Sequence, residues 1–531
     1  MSDLTTSYPV LTLVPPMLAI VLVIVTKKVL ISLGAGVIAA ALLIHDLNPL
    51  DAAVAVWQAF AAIFWEDGAV NTWSVYILVF VVMLGIVAAF IMMSGGTTAF
   101  AAWAVRRIRR RRGSLILPAV LGVIIFIDDY FNALAVGQIS RPVTDQHRVS
   151  RAKLAYIIDS TSAPISVLSP VSSWGAYILG IIAPIVAAST LSVSSVEAFL
   201  GAAAANYYAI AAALIVWLVI VFRVDIGPMR AEERRAIVDG HAFDPDDDVP
   251  GQLSDDLPVH EPGAMRALIV PFALLVVGVL AGIIWTGYSA AGTWNIIDIL
   301  AATDASAALM VGGVLGLASA LYYYLRYTRS NREFSAATFG RGWIEGVKSM
   351  MPAIAILLPA WMLGSLITEL GTGDYLGELV ESASIPAGWL VPVIFLIAAA
   401  MAFATGTSWG SFGLLLPLAG GIINGMDEPT LLLPVLGAVL AGAVAGDHAS
   451  PISDTTILSA TGSSCNVVTH VITQLPYVAS AALCALLGYV ALALTGSTLI
   501  GLVVVAFALL AFVAIMRALV RPLAEAESTG S

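Results

Sequence analysis

Carboxylates, hydroxyls, glycines and prolines interrupt two stretches of this chain whose flanking residues are almost entirely hydrocarbon. The first stretch begins at Asp128 and ends at Gly175, and the second begins at Thr405 and ends at Thr456. A membrane tolerates broken backbone and charged side chains only where they line a protected cavity. We therefore predict that these stretches are two versions of one site and that together they form one ion-binding centre.

The residue types indicate which ligand such a centre prefers. One charged side chain at bilayer depth costs about 2.5–3.5 kcal/mol or more, so several carboxylates need a compensating ion, proton or partner. The short polar segments of these stretches contain no Lys or Arg; Arg141, Arg148, Arg151 and Lys153 lie in the basic turn that separates two of them. Carboxylate, hydroxyl and carbonyl oxygens suit a hard ion such as Na⁺, Mg²⁺ or H⁺. Because burial strengthens proton binding to a carboxylate and a bound cation weakens it, the pattern favours exchange of Na⁺ and H⁺.

The predicted site falls into four groups of residues. The carboxylates expected to bind the ion or the proton are Asp128, Asp129, Asp159, Asp447 and Asp454. The expected neutral ligands are Asn132, Ser160, Thr161, Ser450, Ser453, Thr455 and Thr456. The expected pocket-lining residues are Ser173, Trp174, Thr407, Ser408 and Trp409. His448 is read as a proton relay or pH sensor, or as a histidine that only packs between helices.

Other roles for these residues stay open at this point. Asp128 and Asp129 fit a helix N-cap near the membrane interface, and Asp447 and Asp454 could also be caps. The density of hydroxyls after Asp447 exceeds what capping needs. The two tryptophans fit packing beside the pocket as well as stacking against a substrate. Among these carboxylates, Asp159, Asp447 and Asp454 are the expected carriers, while Asp129 and Asn132 complete or gate the site.

The composition requires membrane-spanning helices to position these groups. The 531 residues are 60% hydrophobic and 11% charged, whereas soluble domains carry roughly 25% charged residues. Many apolar runs reach the ~20 residues that a bilayer core demands. Two cysteines are too few for a disulfide framework. The chain has neither an HExxH zinc motif nor a Walker phosphate loop, so metal catalysis and ATP-driven transport are not expected.

The order of the segments predicts an all-α polytopic membrane protein of about 11 spans in two inverted-topology repeats. Each half reads as two spans, an amphipathic piece, one span, two interrupted regions and a span. Ala163-Pro-Ile-Ser166 recurs in register as Ser450-Pro-Ile-Ser453. Inverted repeats with broken or re-entrant helices that meet at the midplane are typical of secondary transporters. The expected units are residues 1–222, an acidic loop 223–263, the second repeat 264–495, and an extra span with a tail, 496–531.

Loop charges predict the orientation in the membrane. Clusters of Lys and Arg belong on the cytoplasmic side, which places the N-terminus outside and the C-terminus in the cytoplasm. The segment from Arg223 to Pro262 contains eleven acids and four bases. An acidic loop argues against nucleic acid as a partner; a solvated linker is the expected structure, and adaptation to high salt is the alternative.

Several motifs together resemble a known family. They are Gly446-Asp-His-Ala-Ser-Pro-Ile-Ser-Asp-Thr-Thr-Ile-Leu-Ser-Ala460, His470, Thr473-Gln-Leu-Pro-Tyr477, Asp128-Asp-Tyr-Phe-Asn132, Ser150–Tyr156, Asp159-Ser-Thr161 and Pro170–Gly175. With them the chain resembles NhaC-type sodium/proton antiporters of the larger ion-transporter superfamily, from about Thr72 to Tyr489. The resemblance implies coupled exchange of Na⁺ and H⁺, or, in some members, exchange of malate against lactate with cations. The acidic loop departs from the family pattern.

The sequence therefore predicts a Na⁺/H⁺ antiporter of the cell membrane, which is not an enzyme and needs no cofactor besides the transported ions. The alternative within the same fold is a cation-coupled organic-acid exchanger of the malate/lactate type. A channel is disfavoured because a dense carboxylate trap binds ions tightly instead of conducting them, and a membrane enzyme is disfavoured because no nucleophile–base pair stands out. The expected partners are membrane lipid, Na⁺ and H⁺, without nucleic acid or ATP; a homodimer is left open.

Overall fold

The protein is described by a computed structural model. The described residues are 3–26, 28–66, 68–108, 110–126, 129–170, 172–245, 257–331, 333–372, 375, 386–426 and 428–523. Within these ranges the chain is almost entirely helical. One short antiparallel ribbon pairs β1 (Trp65–Glu66) with β2 (Ala69–Val70). The expectation of an all-helical membrane protein is confirmed.

The helices have the following bounds. Those of the first half are α1 (Asp3–Ser7), α2 (Val14–Thr26), α3 (Val29–Ile44), α4 (Pro49–Ala62), α5 (Thr72–Met93), α6 (Gly96–Arg107), α7 (Arg111–Ile124), α8 (Asp129–Gln146), α9 (Arg151–Thr161), α10 (Ala163–Ser166), α11 (Ser173–Ala187), α12 (Ser195–Ala204), α13 (Tyr207–Phe222) and α14 (Gly227–Val238). Those of the second half are α15 (Arg266–Ala291), α16 (Ile296–Ala301), α17 (Ala305–Thr328), α18 (Ala336–Glu369), α19 (Ala387–Thr405), α20 (Ser408–Gly425), α21 (Leu432–Ala449), α22 (Asp454–Ser463), α23 (Val467–Thr495) and α24 (Thr498–Leu519). Two 3-10 helices cover Pro9–Leu13 and Pro429–Leu431.

Among the described residues, eight helices are long and apolar enough to cross a bilayer, and α12 with α13 makes a ninth candidate, bent by 54°. Shorter apolar helical segments cover Pro9–Leu22, Leu30–Ile44 and Tyr177–Ala187. Because length and composition alone give this count, the figure of about 11 spans stays a prediction.

The four interrupted regions are helix pairs with short breaks between them. In the first half, α7 and α8 flank one break, and α9, α10 and α11 surround another. In the second half, α19 and α20 flank Gly406-Thr407, while α21 and α22 flank residues 450–453. The two breaks of each half touch, since Ser166 Oγ donates to the Phe126 carbonyl (3.1 Å) and Ser450 Oγ donates to the Phe403 carbonyl (2.8 Å). This shared order agrees with the predicted internal repeat.

Hydroxyl and amide side chains cap the helices at these breaks. Ser453 accepts a hydrogen bond from Thr456 N at the start of α22, and Ser150 accepts one from Lys153 N at the start of α9. Such caps satisfy backbone donors that would otherwise be unpaired in a hydrocarbon environment. The hydroxyls of the sequence motifs are therefore partly structural.

Helices of the two halves interlock around the breaks. The backbones of α8 and α22 approach so closely at Gly137 that a Cβ there would lie 2.3 Å from the backbone of Gly462. The rings of Tyr156 and Tyr477 stack with centroids 4.6 Å apart where α9 meets α23. Only glycines permit the close approach of α8 and α22. This approach brings the carboxylates of both halves to one region.

Three expectations about the elements are wrong. The apolar pattern of the sequence predicts one clean span at about Phe199–Phe222, but this span is bent, because Asn206 caps a new helix with its side chain. The sequence also predicts a basic amphipathic stretch, Arg329–Lys348, followed by a separate span, Pro352–Leu370, whereas the single helix α18 covers most of both.

The third wrong expectation concerns the acidic loop, which was predicted to be a solvated linker. Its first part forms α14, which is fixed by buried Glu233; the carboxylate of Glu233 accepts from Ser150 N and Oγ and pairs with Arg111. Residues 246–256 of the acidic loop lie outside the described residues.

Candidate functional site

Asp159 is the most completely hydrogen-bonded carboxylate of the protein interior. It lies at the end of α9 and is 1% exposed. Its Oδ2 accepts from His470 Nε2 (3.0 Å), Gln474 Nε2 (2.9 Å) and Thr456 Oγ1 (3.2 Å), and its Oδ1 accepts from Ser459 Oγ (3.2 Å). Four donors from α22 and α23 hold one carboxylate of α9, so both halves of the chain build this group.

His448 extends this network from the opposite side. Its Nε2 lies 3.8 Å from Asp159 Oδ2 and 3.3 Å from Ser160 Oγ, and its Nδ1 lies 2.8 Å from the hydroxyl of Tyr208. The His448 carbonyl accepts from Gln474 Nε2 (2.8 Å). We call Asp159, Thr456, Ser459, His448, His470 and Gln474 the Asp159 centre. His448 is packed between helices and hydrogen-bonded to the titratable hydroxyl of Tyr208; its role as a proton relay or pH sensor stays a prediction.

Asp447, one residue before His448, is held differently. Its Oδ2 accepts from Ser408 Oγ (2.7 Å) and Ser408 N (3.2 Å), whereas its Oδ1 is buried and accepts no hydrogen bond. The side chain is 1% exposed. Charges on Asp454 and Asp159 act on it electrostatically. A buried carboxylate oxygen without a donor is costly, which makes Asp447 a strong acceptor for a proton or a cation.

Asp454 begins α22, and four residues separate it from Ala449, the last residue of α21. Its Oδ2 accepts from the hydroxyl of Tyr130 and from Trp361 Nε1 (3.3 Å), and its Oδ1 accepts from Thr455 N (2.9 Å). Ser453 is the N-cap of this helix, so Asp454 is not the cap, which was one of the open readings. It also faces a cavity. We call Asp447 and Asp454 together the Asp447–Asp454 pair.

The cavity that reaches Asp454 has a volume of about 310 Å³. The described residues that line it are Ala59, Ala62, Ile63, Glu66, Asn71, Trp73, Ser74, Ala360, Trp361, Gly364, Ser365, Thr368, Thr405, Gly406, Thr407, Trp409, Gly410 and Asp454. We call it the tryptophan cavity. It connects the break between α19 and α20 with the β1–β2 ribbon.

The predicted residues of the first break lie beside this arrangement. Asp129 Oδ1 accepts from Trp174 Nε1 (2.8 Å), and the Trp174 ring packs 5.6 Å from the ring of Trp409. Asn132 Nδ2 donates to the carbonyls of Gly122, Ile125 and Thr161. Asn132 therefore ties the broken backbone together. Asp128 and the side chain of Ser173 lie outside the described residues.

The remaining predicted ligands fall into two sets. Thr161 Oγ1 donates to the Ile157 carbonyl of its own helix (2.7 Å), and Ser450 donates to Phe403, so both have structural partners. Ser453 Oγ and Thr455 Oγ1 lie 2.9 Å apart next to Asp454. Thr407 lines the tryptophan cavity. Of the hydroxyls that were predicted for the site, Ser408 and Thr456 donate directly to carboxylates.

Six side chains that bond to the carboxylates or to His448 were not among the predicted site residues. They are Tyr130, Tyr208, Trp361, Ser459, His470 and Gln474. His470 and Gln474 stand four residues apart, on one face of an apolar helix, and that spacing was a usable signal. Tyr208 and Trp361 come from distant helices, and nothing local in the sequence marks them.

Positive side chains are not the partners of these carboxylates. No hydrogen bond or ion pair described for Asp159, Asp447 or Asp454 comes from a Lys or Arg. In the described part of the chain, no three His, Cys, Asp or Glu side chains converge as a resident metal site. A cation at the Asp447–Asp454 pair would therefore be coordinated by carboxylates together with hydroxyl and backbone oxygens, a ligand set that suits a hard ion.

Comparison with known proteins gives the affiliation of the chain. The model of the Na⁺/H⁺ antiporter family matches residues 165–494, more than half of the sequence. The chain belongs to the Na⁺/H⁺ antiporter family. The resemblance expected from the motifs is thereby confirmed, and so is the broader expectation of an antiporter-type, multi-pass membrane protein. The matched range contains Asp447 and Asp454, while Asp159 lies just before it.

Individual relatives differ in how much they share with this antiporter-family chain. An uncharacterized protein of Haemophilus influenzae is 40% identical over 513 residues, which cover 96% of this chain and 95% of that protein. The malate-2H⁺/Na⁺-lactate antiporter of Bacillus subtilis is 34% identical over 133 residues, 24% of this chain and 27% of that protein. An uncharacterized Na⁺/H⁺ antiporter of Haemophilus influenzae is 33% identical over 127 residues, 24% of this chain and 26% of that protein. The last two likenesses are local.

Proposed function

We propose that this protein is a secondary antiporter that exchanges Na⁺ for H⁺ across the cell membrane. The observation that carries the proposal is the state of Asp447. Its buried carboxylate has two hydrogen bonds on one oxygen and none on the other, beside a second buried carboxylate, Asp454. Two such neighbours cannot both stay ionised without compensation. A proton or a small hard cation supplies it, and alternation between the two is exchange.

The two groups of carboxylates suggest separate roles in that exchange. Sodium would bind at the Asp447–Asp454 pair, where an oxygen is available and Ser408 and Ser453 supply neutral ligands. The proton would bind at the Asp159 centre, where a carboxylate and two imidazoles form one connected buried network through which a proton can be taken up and released. Because Asp159 and Asp447 interact electrostatically, a cation at the pair weakens proton binding at Asp159. Such mutual exclusion produces antiport.

An organic-acid exchanger is the second candidate, supported by the local likeness to the malate/lactate antiporter. A carboxylate substrate needs a positive group or free helix N-terminal amides. The described residues lining the tryptophan cavity include two acids and no Lys, Arg or His. The amide of Ser408 at the start of α20 is already bonded to Asp447. The electrostatics therefore favour a cation as the substrate.

The proposed function implies a location in the cell and a set of binding partners. We infer a multi-pass protein of the cell membrane with the N-terminus outside and the C-terminus in the cytoplasm, because basic residues cluster on one predicted side. Lipid, Na⁺ and H⁺ are the proposed partners. No cofactor, ATP or nucleic acid is part of the proposal, and a homodimer is one assembly to test.

The test uses purified protein in liposomes that contain a trapped pH dye and carry an imposed pH gradient. NaCl is added in one arm, and malate or lactate with a non-sodium cation in another. Collapse of the gradient by Na⁺ alone supports the proposal. Collapse by the organic acids alone would replace it with the second candidate, and a leak without any added ion would indicate a channel.

A further inference from the structure

The tryptophan cavity is larger than a sodium ion requires. Its volume of about 310 Å³ is at the lower end of the range of about 300–1,000 Å³ found for pockets that bind small organic molecules. A bare Na⁺ sits among oxygens at roughly the distances of Ca²⁺ ligands, about 2.3–2.6 Å. The cavity thus has room for an organic group next to Asp454.

The charge of the lining restricts the class of that group. Glu66 lies at the ribbon end and Asp454 lies at the buried end, and the described lining residues include no Lys, Arg or His. Asp454 is 4% exposed, so little water screens it. The C-terminal end of α19, at Thr405 and Gly406, and the N-terminal end of α20, at Thr407 and Trp409, both line the cavity, so their opposite helix dipoles offset each other there. The two carboxylates, without a basic residue among the described lining residues, therefore favour a positive ligand over a neutral or negative one.

The aromatic walls distinguish an organic cation from a metal ion. Trp73, Trp361 and Trp409 line the cavity, and the rings of Trp73 and Trp361 stand 5.5 Å apart at 51° to each other. Indole faces attract ammonium groups, above all methylated ones. Trp361 Nε1 also donates to Asp454, so the aromatic walls and the buried carboxylate form one continuous surface.

We propose that the tryptophan cavity binds a small organic monocation, of the methylated ammonium type, with Asp454 as its counter-charge. This inference rests on the proposed function in one respect, because Asp454 would be shared with sodium. The organic cation therefore competes with Na⁺ instead of binding independently. Trp73 and Glu66 touch only the organic cation and determine its affinity without holding sodium.

Tetramethylammonium is a suitable probe because it is permanently charged and carries no proton. It is placed at equal concentration inside and outside the proteoliposomes, and Na⁺-driven exchange is titrated. The expected result is a raised Na⁺ half-saturation concentration with an unchanged maximal rate. Tert-butanol, a neutral molecule of similar shape, is expected to have no effect. Equal potency of the two would mean simple apolar binding and would overturn the inference.

Variants then locate the effect. Trp73→Ala should raise the inhibition constant of tetramethylammonium about tenfold, as expected when a desolvated cation–π contact is lost. Trp294→Ala removes an exposed tryptophan that does not line the cavity and should leave the constant unchanged. Glu66→Gln, on the exposed ribbon, is a second variant and should raise it about threefold. An unchanged constant in both cavity variants would place the probe elsewhere and overturn the inference.

Thermal unfolding in detergent separates this inference from the proposed function. If tetramethylammonium stabilises the protein and Trp73→Ala abolishes that effect while Na⁺ drives no exchange, the proposed function fails and the binding site stands. If Na⁺ exchange is robust but tetramethylammonium neither competes nor stabilises, the binding site fails and the function stands.

Discussion

The Asp159 centre and the Asp447–Asp454 pair present buried carboxylates in opposite states. Four side-chain donors surround Asp159, and two histidines lie within 3.8 Å of its Oδ2. Asp447, one residue from His448, leaves an oxygen without any donor. Donors stabilise an anion in place, whereas a bare oxygen attracts a cation or a proton. In the proposed function, this difference in hydrogen bonding prepares neighbouring acids of one site for different ions.

The largest expected effect comes from removing the bare oxygen. In Asp447→Asn, Na⁺-driven exchange should fall about 100-fold or more, because a charged ligand is replaced by a neutral amide. The stabilisation that Na⁺ gives against thermal unfolding should disappear as well. Both are measured on purified protein. Asp298→Asn, which changes an exposed acid of α16, is the control and should behave like the wild type. If Asp447→Asn exchanged Na⁺ at the wild-type rate, the Asp447–Asp454 pair would not be the sodium site.

The next largest effect is expected at the Asp159 centre. His470→Gln removes the ring that donates to Asp159 Oδ2, and a hydrogen bond to a charged group contributes about 1.5–3 kcal/mol, so exchange should fall about 30-fold. Stabilisation by Na⁺ should remain, since the pair is intact. Exposed His241 supplies the control variant, His241→Gln. Loss of Na⁺ stabilisation together with exchange would contradict separate roles for the two groups.

A smaller effect is expected at Asp454. Tyr130→Phe removes one hydroxyl donor from its Oδ2, and a hydrogen bond to a charged group contributes about 1.5–3 kcal/mol. The half-saturation concentration for Na⁺ should change about tenfold, with the maximal rate less affected. Tyr322→Phe, at an exposed tyrosine of α17, is the matched control. An identical Na⁺ dependence in Tyr130→Phe would indicate that Asp454 does not bind sodium.

The smallest effect on ion affinity is expected at the buried pair of Lys153 and Asp225, whose Nζ and Oδ1 are 2.8 Å apart. Asp225→Asn leaves a buried ammonium unpaired, which costs about 3–5 kcal/mol of unfolding free energy, but the Na⁺ dependence should not move. This variant separates loss of stability from loss of function. A changed Na⁺ half-saturation would connect this pair to the ion site.

The same pair predicts a pH dependence. Burial would raise the pKa of Asp225, but the Lys153 ammonium, together with Arg111 and Arg230, holds that pKa below its ordinary value. A lowered pKa contributes stability above the unfolded value of about 3.9, and that contribution is lost as the pH falls through the folded pKa. The stability difference between wild type and Asp225→Asn should be constant from pH 5 to 8 and shrink below about pH 4. A difference that persisted at lower pH would contradict the ionised pair.

Sequence and structure determined different parts of this protein. The membrane class, the four broken regions and the carboxylates Asp159, Asp447 and Asp454 could be read from the sequence, because hydrocarbon runs and the polar residues that interrupt them are local features. The sequence did not reveal that Asp159 is surrounded by hydrogen-bond donors while Asp447 has an oxygen without a hydrogen bond. This difference depends on Gln474 and His470 reaching Asp159 from α23, and on Ser408 reaching Asp447 across a second break. Contacts of that kind join residues dozens to hundreds of positions apart, and only the packing of the two halves decides them.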